Sequence, residues 1–257
     1  MKLSSNRMSL KLLLAIASLA AGNFAGAAEA AHHWGYSGEG GPEHWAAMED
    51  SFAACGVGKH QSPIDLNSAV TKDLPPIQFS YQALPLTVTD TGHSFQVNAG
   101  AGSGGITVGA DHYDLVQFHF HRPSEETMQG RHYSMVAHLV HKNAKGDLAV
   151  VAVLIRKGET NKFLKSVFDN FPAKGQQESS VAGTMINLND FIPQRHGYFT
   201  FDGSLTTPPC SEGVRWFVLK SPVEASTDQV QQFASRYPHN ARPTQPLNGR
   251  LVEETKD

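Results

Sequence analysis

Gln117-Phe118-His119-Phe120-His121 is a short stretch in which two histidines alternate with two phenylalanines. Side chains on a β-strand alternate between the two faces of the sheet, so we expect His119 and His121 on one face and both phenylalanines on the other. A second apolar stretch, Val136-Ala137-His138-Leu139-Val140-His141, also has the pattern of a strand and carries His138. If the two strands are neighbours, three imidazoles converge, and the pattern predicts a sheet built around a metal site.

Three converging imidazoles favour one class of metal centre. A structural zinc site fills all four positions with protein ligands, whereas a catalytic zinc site leaves one position open. The pattern therefore predicts a catalytic zinc ion held by His119, His121 and His138. The alternative is that these are ordinary solvated or core histidines, because short histidine-rich tracts also arise by composition.

The N-terminal segment has the features of a secretory signal peptide. A basic start precedes an apolar run at 12–21, which is short for a membrane span. Cleavage after Ala27 or after Ala30 fits the small residues that follow this run. The sequence thus predicts a signal peptide at 1–30 and one exported domain at 31–257, and an uncleaved anchor is the alternative.

Charge and cysteine content restrict the partners and the compartment. A formal net charge of −3 without a basic run argues against nucleic-acid binding. The two cysteines, Cys55 and Cys210, form an even count in an exported chain, which predicts one disulfide between them. Two free thiols are the alternative. No stretch is long enough to predict a membrane span.

Short apolar stretches between turn residues predict a mainly β domain with a few short helices. Helical patterns occur only at 161–171 and at 227–237, where Ser226 or Thr227 would be the N-cap. The glycine-rich segment 100–105 lacks the ending of a phosphate-binding loop, so it predicts a surface hairpin turn. The expected strands are at 86–89, 94–97, 106–108, 112–121, 132–141, 149–155, 198–201 and 214–219.

Further motifs extend along the chain in a fixed order. They are Trp34-Gly35-Tyr36, Gly41-Pro42-Glu43-His44-Trp45, Gln61-Ser62-Pro63-Ile64-Asp65, Gly92-His93-Ser94-Phe95, the stretch 117–121, Ser124-Glu125, the stretch 138–141, Gly203-Ser204-Leu205-Thr206-Thr207-Pro208-Pro209 and Arg242-Pro243-Thr244-Gln245-Pro246-Leu247-Asn248. Together they resemble the α-class carbonic anhydrases, in particular their exported bacterial members. The resemblance implies a single domain on a large, twisted, mostly antiparallel sheet, with the metal at the base of a conical cleft.

The resemblance also implies an activity and the residues that perform it. The activity is reversible hydration of carbon dioxide to bicarbonate and a proton by a zinc-bound hydroxide, with sulfonamides and anions as inhibitors. Thr206 would accept a hydrogen bond from the hydroxide and donate one to Glu125, and His93 would shuttle protons. Residues that orient water or ligands would be Tyr36, Gln96 and Gln117, the last acting on His119. The substrate-binding residues would be Val140, Val150, Leu205, Thr206, Thr207, Val214 and Trp216.

The chain departs from the family pattern next to the third ligand. The family has an acidic residue two positions before that histidine, where this chain has Val136. Loss of a carboxylate that orients a ligand costs about 10–100-fold in metal affinity or activity. We therefore expect weaker zinc binding, unless water or a backbone carbonyl substitutes, and tighter binding in Val136→Glu. Thr91 replaces an asparagine often found near the shuttle, which predicts an altered water network.

Two other functions are compatible with the motifs. One is a zinc hydrolase that acts on esters, and the other is a carbonic-anhydrase-like binding protein that has lost its metal. The second is disfavoured because the chain keeps His119, His121 and His138 together with Glu125 and Thr206. An export signal predicts a periplasmic protein, with secretion as the alternative, and a homodimer is compatible with the family.

Overall fold

The computed structural model describes residues 33–176 and 178–256, so the predicted signal peptide at 1–30 lies outside the described residues. Within them the chain forms fifteen strands and four short α-helices. The strands are β1 Ala69–Lys72, β2 Ile77–Phe79, β3 Leu84–Asp90, β4 Phe95–Asn98, β5 Gly105–Val108, β6 Asp111–His121, β7 Thr127–Met128, β8 Arg131–His132, β9 Met135–Lys142, β10 Leu148–Lys157, β11 Ser179–Ile186, β12 Tyr198–Ser204, β13 Glu212–Leu219, β14 Val223–Ala225 and β15 Val252–Thr255.

The helices lie outside the sheet and are all short. They are α1 Trp45–Met48, α2 Ala54–Val57, α3 Lys162–Phe168 and α4 Thr227–Ala234, and 3₁₀ turns occur at Gly38–Gly40, Asp50–Phe52 and Leu188–Asp190. The predicted helical segments at 161–171 and 227–237 are confirmed, although both helices end earlier than expected. The Ser226 hydroxyl accepts from the Gln229 backbone N–H in a capping box that begins α4. None of the helices in the described part of the chain has the length and apolar character needed to cross a membrane.

Thirteen of the strands form one sheet, which confirms the predicted mainly β fold. Its main order is β1-β15-β12-β13-β10-β9-β6-β4-β3-β11, while β14 pairs with β10, and β5 pairs with both β2 and β6. Most pairs are antiparallel, but β10 is parallel to β13 and β14, and β1 is parallel to β15. The strands β6, β9 and β10 are therefore flanked on both sides, which fixes the positions of the side chains that they carry.

Two hydrophobic cores cover the opposite faces of the central strands. Phe118 and Phe120 of β6 lie in the larger core with Leu139 of β9 and the apolar faces of α3 and α4. The smaller core contains Val136 and Val140 from the other face of β9. This alternation follows from the period-two geometry of strands, and it leaves the histidines of β6 on the same face as the smaller core.

The glycine-rich segment 100–105 forms a turn, but the hairpin predicted there is wrong. The strands β4 and β5 on either side of it do not pair with each other. Both pair with β6 instead, β4 with residues 117–119 and β5 with residues 111–114. Gly104 has φ 76° in this connection, and a Cβ there would collide with the Ser80 carbonyl oxygen. The segment is thus a bend between two strands that lie along the same edge of β6.

The predicted disulfide between Cys55 and Cys210 is present, with the two Cα atoms 5.0 Å apart. It joins α2 to the segment that follows β12 and spans a sequence separation of 155. In the same segment the Cys210 backbone N–H donates to the Thr207 carbonyl at 2.8 Å. The link therefore holds in place the loop that contains Thr206.

Candidate metal centre

His119, His121 and His138 come together as the sequence predicts. The register of β6 and β9 places His119 directly opposite His138 and His121 opposite Val136. One imidazole nitrogen from each histidine lies within 4.8 Å of the other two. His121 and His138 are each 1% exposed, whereas His119 is half-buried at the edge of a cavity. The three rings thus form a buried cluster that is open on one side.

Hydrogen bonds determine which nitrogens face the centre of this cluster. His119 Nδ1 lies 2.8 Å from Gln117 Oε1, and His121 Nδ1 lies 2.7 Å from the Asn240 carbonyl oxygen. Both partners are acceptors, so the protons are on Nδ1 and the Nε2 lone pairs are free. His121 Nε2 is buried without any hydrogen-bond partner among the described residues. A buried, unpaired lone pair of this kind fits a metal ligand.

His138 has the opposite arrangement. Its Nε2 lies 3.1 Å from Glu126 Oε1 and 3.3 Å from Glu126 Oε2, which leaves Nδ1 to face the other two histidines. The expectation that His138 lacks a carboxylate partner is therefore wrong. Val136 does replace the acidic residue, but Glu126 approaches the ring from the segment after β6. Sequence spacing could not reveal this, because the two partners are twelve residues apart and meet only in the folded chain.

Burial keeps two of the ligand imidazoles neutral. It lowers the pKa of His119 to about 3 and that of His121 well below its usual value, and the neighbouring imidazoles lower both further. Burial also lowers the pKa of His138, but this effect is outweighed by Glu126 and then by Glu125, so the net shift is upward. At neutral pH the lone pairs of His119 and His121 are therefore available to a cation without competition from protons.

Glu125 lies beside two of the ligands, His121 and His138, and the Thr206 hydroxyl lies beside Glu125. Glu125 is fully buried, and its Oε1 accepts a hydrogen bond of 2.8 Å from the Arg242 backbone N–H. Its Oε2 lies 3.8 Å from His138 Nδ1. Burial raises the pKa of Glu125 to about 7, although His138, the Arg242 N–H and the Thr206 hydroxyl all lower it. A divalent cation at the histidines would lower this pKa further, because it favours the charged form.

The apolar residues expected to bind substrate occupy one patch beside the cluster. Val150 pairs with Trp216 on one side and with Val140 on the other, across the three strands β13, β10 and β9. Val214 lies two residues before Trp216 on the same face, and Leu205 packs against this core. The Trp216 ring centroid is 4.9 Å from that of His138, so the apolar surface extends to the ligands.

His93 lies in the turn between β3 and β4, above the ligand cluster. The Thr91 hydroxyl oxygen closes this turn by accepting from the Ser94 backbone N–H at 2.9 Å. The His93 ring stacks on Trp34, with centroids 3.5 Å apart, and on His33 at 4.8 Å. Burial, followed by the neighbouring His33, lowers the pKa of His93 to about 4. The ring is therefore neutral at pH 7 in this position.

One cavity connects His93 to the ligands. It has a volume of about 170 Å³, and both His119 and His121 line it. Gln96 on β4 lies directly opposite His119, on the wall of this cavity. The remaining lining residues are Trp34, Tyr36, Thr91, Ser94, Gln117 and Thr207. The cavity therefore contains the predicted proton shuttle His93 and the polar residues Tyr36 and Gln96, and it reaches the open side of the ligand cluster.

Three residues that support the site had no predicted role. Asn240 accepts from His121 through its carbonyl, and its side-chain amide donates to the His93 and Phe120 carbonyls at 3.0 Å. Arg242 holds Glu125 through its backbone N–H. Glu126, described above, is the third. Arg242 belongs to a quoted motif, but Asn240 acts partly through its backbone, which leaves no signal in the sequence.

Comparisons with known proteins point to one family. A sequence model of the family described as eukaryotic-type carbonic anhydrase matches residues 40–256. A carbonic anhydrase of Klebsiella pneumoniae is 43% identical over 226 residues, covering 87% of this chain and 92% of that protein. One from Pectobacterium carotovorum is 39% identical over 247 residues, covering 96% and 98%. The α-carbonic anhydrase of Thermovibrio ammonificans, solved with the inhibitor sulfanilamide, superposes with a TM-score of 0.83 at 41% identity, covering 86% and 99%.

Proposed function

Because this chain belongs to the α-carbonic anhydrase family and catalyses the reversible hydration of carbon dioxide, we propose that zinc is the ion bound by its three histidines. The observation that supports zinc most directly is a set of three imidazole nitrogens that no donor among the described residues occupies. They are Nε2 of His119, Nε2 of His121 and Nδ1 of His138. Imidazole ligands suit zinc, and three histidines with one open position are typical of its catalytic sites.

Zinc in such a site supplies a nucleophile at neutral pH, because it lowers the pKa of its bound water to about 7 in carbonic anhydrases. The chain contributes the neutral state of the ligands. Burial holds the pKa of His119 and His121 far below 7, so neither ring has to lose a proton before it binds the ion. Gln117 and the Asn240 carbonyl keep the Nδ1 protons of these two rings in place.

We propose that Glu125 sets the direction of the Thr206 hydroxyl. An ionised carboxylate can only accept hydrogen bonds, so Thr206 must donate its proton to Glu125. The Thr206 oxygen then presents a lone pair to the attacking water and orients it. The Arg242 N–H and the disulfide-linked loop keep the two partners in position.

The apolar patch at Val140, Val150 and Trp216 is proposed to hold carbon dioxide, with Leu205 and Val214 completing the wall. Carbon dioxide has no net charge or dipole, so an apolar surface next to the ligands retains it without hydrogen bonds. We expect the backbone N–H of Thr206 to face the substrate, and its neighbour Thr207 lines the same cavity as His119 and His121. We infer that sulfonamides bind in the same space.

His93 is proposed to carry the released proton to solvent. Its pKa of about 4 in the stack with Trp34 and His33 makes it a poor acceptor at pH 7. An unperturbed imidazole has a pKa of about 6.5, so the ring would become an effective acceptor on leaving the stack for a more solvated position. The two positions would bind and release the proton in turn.

Replacement of His93 by alanine is expected to reduce kcat by at least about 10-fold in weak buffer, since a positioned proton-transfer group contributes roughly 10²–10⁴-fold and buffer replaces part of it. Added imidazole should restore the rate, and kcat/KM should not change because proton release follows attack on carbon dioxide. Stopped-flow hydration at several buffer concentrations measures this. The exposed His112 provides the matched control, and equal buffer dependence in His93→Ala and His112→Ala would exclude the shuttle.

The proposal of zinc is tested by metal analysis of the purified mature protein together with stopped-flow hydration on the same sample. We expect one zinc ion per chain and hydration that sulfanilamide inhibits. Removal of the metal with a chelator should abolish hydration, and added zinc should restore it. A protein that hydrates carbon dioxide at full rate after complete metal removal, or that retains a different metal, would contradict zinc.

Export is part of the proposed function. A disulfide is typical of oxidising compartments, which supports a periplasmic or secreted protein with the signal peptide at 1–30 removed. The two alternative functions are less well supported. Retention of all three ligands disfavours a metal-free binding protein, and ester hydrolysis would be a side reaction of the same centre.

A further inference from the structure

We propose that Glu126 is the positioning residue for His138, the third ligand of the proposed zinc site. It would fix the imidazole in the orientation that points Nδ1 at the metal, and so take over the role that the family pattern assigns to position 136. The inference rests on the proposed function, because it concerns how tightly this chain holds that metal. Three features of the structure support it.

The first feature is the contact itself. Both Glu126 oxygens lie within hydrogen-bond distance of one atom, His138 Nε2, at 3.1 and 3.3 Å. A carboxylate accepts, so the proton is on Nε2 and the Nδ1 lone pair is directed toward His119 and His121. A carboxylate behind a ligand imidazole also increases the basicity of the ring, and it prevents the ring from flipping.

The second feature is burial. The Glu126 and His138 side chains are 0% and 2% exposed. A buried carboxylate is costly unless it is paired and hydrogen-bonded, and among the described residues His138 is the hydrogen-bond donor to this one. A glutamate that served only the turn after β6 could face solvent at much lower cost. Its placement therefore indicates that its function is directed at His138.

The third feature is the environment of Val136. It is fully buried within the smaller core and lies opposite His121 across the β6–β9 ladder. Side chains two residues apart on a strand point to the same face, so positions 136 and 138 are neighbours on that face. A carboxylate at 136 would thus reach the same ring as Glu126. With Glu126 present, an apolar residue at 136 is favoured, because a further buried carboxylate there would be repelled by Glu126.

The test measures metal release rather than activity. Wild type and variants are loaded with zinc or cobalt(II), and the metal is captured by excess chelator, with the visible absorption of cobalt(II) reporting its coordination. We expect Glu126→Ala to release metal about 10–100-fold faster than wild type, the usual effect of losing such a partner. Glu126→Gln keeps an acceptor without the charge, so its release rate should be intermediate.

The double variant Glu126→Ala/Val136→Glu distinguishes positioning from a structural role. It supplies a carboxylate beside His138 from position 136 instead of position 126, and it should bring the rate of metal release back toward that of wild type. Val136→Glu alone should not slow release and should lower the melting temperature, since it buries a third carboxylate in addition to Glu125 and Glu126. This reverses the expectation from the sequence that Val136→Glu tightens zinc binding.

Ser124→Ala serves as the control for damage to the turn. The Ser124 hydroxyl donates to the Glu126 backbone carbonyl at 2.7 Å without touching the carboxylate, so its loss should lower stability and leave metal release unchanged. The assignment would be overturned if Glu126→Ala released metal at the wild-type rate. It would also be overturned if the double variant folded but released metal as fast as Glu126→Ala. A wild-type protein that takes up neither metal would instead contradict the proposed zinc site, and this inference with it.

Discussion

Replacement of His138 by alanine is expected to abolish metal binding and to lower hydration by roughly 10³-fold or more, because the metal contributes several kcal/mol to catalysis and each 1.4 kcal/mol is a factor of about ten. Two imidazoles remain, but they leave two open positions and cannot complete a three-histidine site. The substitution also leaves Glu126 buried without its donor, so a loss of stability is expected as well. Metal content, hydration rate and melting temperature should be measured on one preparation.

His141 provides a matched control for this experiment. It lies on the same strand β9, is also fully buried, and faces the other side of the sheet, where its Nε2 is 2.9 Å from the Tyr81 hydroxyl. His141→Ala should therefore destabilise the fold while one metal ion per chain is retained. The metal assignment fails if His138→Ala keeps its metal, or if both variants lose metal to the same extent.

Thr206→Val is expected to lower kcat/KM by about 10²-fold with full metal content, the usual effect of losing one preorganised hydrogen-bonding group. Valine has nearly the shape of threonine, so the loop that Cys210 holds should be retained. Only the hydroxyl beside Glu125 is lost, which is proposed to orient the reacting water. The measurement is stopped-flow hydration over a range of carbon dioxide concentrations. Metal analysis of the same sample separates a catalytic defect from metal loss.

Thr206→Ser keeps the hydroxyl and should retain most of the activity. Glu125→Gln should approach the defect of Thr206→Val, because an amide can donate as well as accept and no longer fixes the direction of the hydroxyl. Wild-type kcat/KM in Thr206→Val would remove the hydroxyl from the mechanism. A full defect in Thr206→Ser would point to packing rather than hydrogen bonding.

Strand periodicity was sufficient to predict the ligands and the centre of the fold. His119 and His121 alternate with two phenylalanines, which predicts the face of β6 that carries the ligands. The register that buries the apolar residues of both β6 and β9 also places His138 opposite His119. Strands such as β11 and β15 were not predicted, because they are partly exposed and their apolar residues do not alternate clearly. Their pairing depends on the neighbouring strand more than on their own residues.

The residues behind the ligands could not be predicted in the same way. Glu126 follows Glu125 in the sequence, and nothing in its spacing distinguishes a buried partner of His138 from a solvated carboxylate. Asn240 supports His121 through a backbone carbonyl, a group that every residue possesses. Such contacts depend on where a loop returns to the sheet, and no local pattern encodes that position.

The contacts of Asn240 and Arg242 come from a segment late in the chain, so the site cannot be complete until that segment has been synthesised. All three ligands are on β6 and β9, so they leave the ribosome well before Asn240 and Arg242. Asn240, which orients His121, lies 119 residues after it, and Arg242, which anchors Glu125, lies 117 residues after that glutamate. A nascent chain that ends before Asn240 contains every ligand but lacks the acceptor that sets the His121 tautomer. Metal captured before that point would meet an unfinished geometry, so we expect the proposed zinc ion to be acquired after translation.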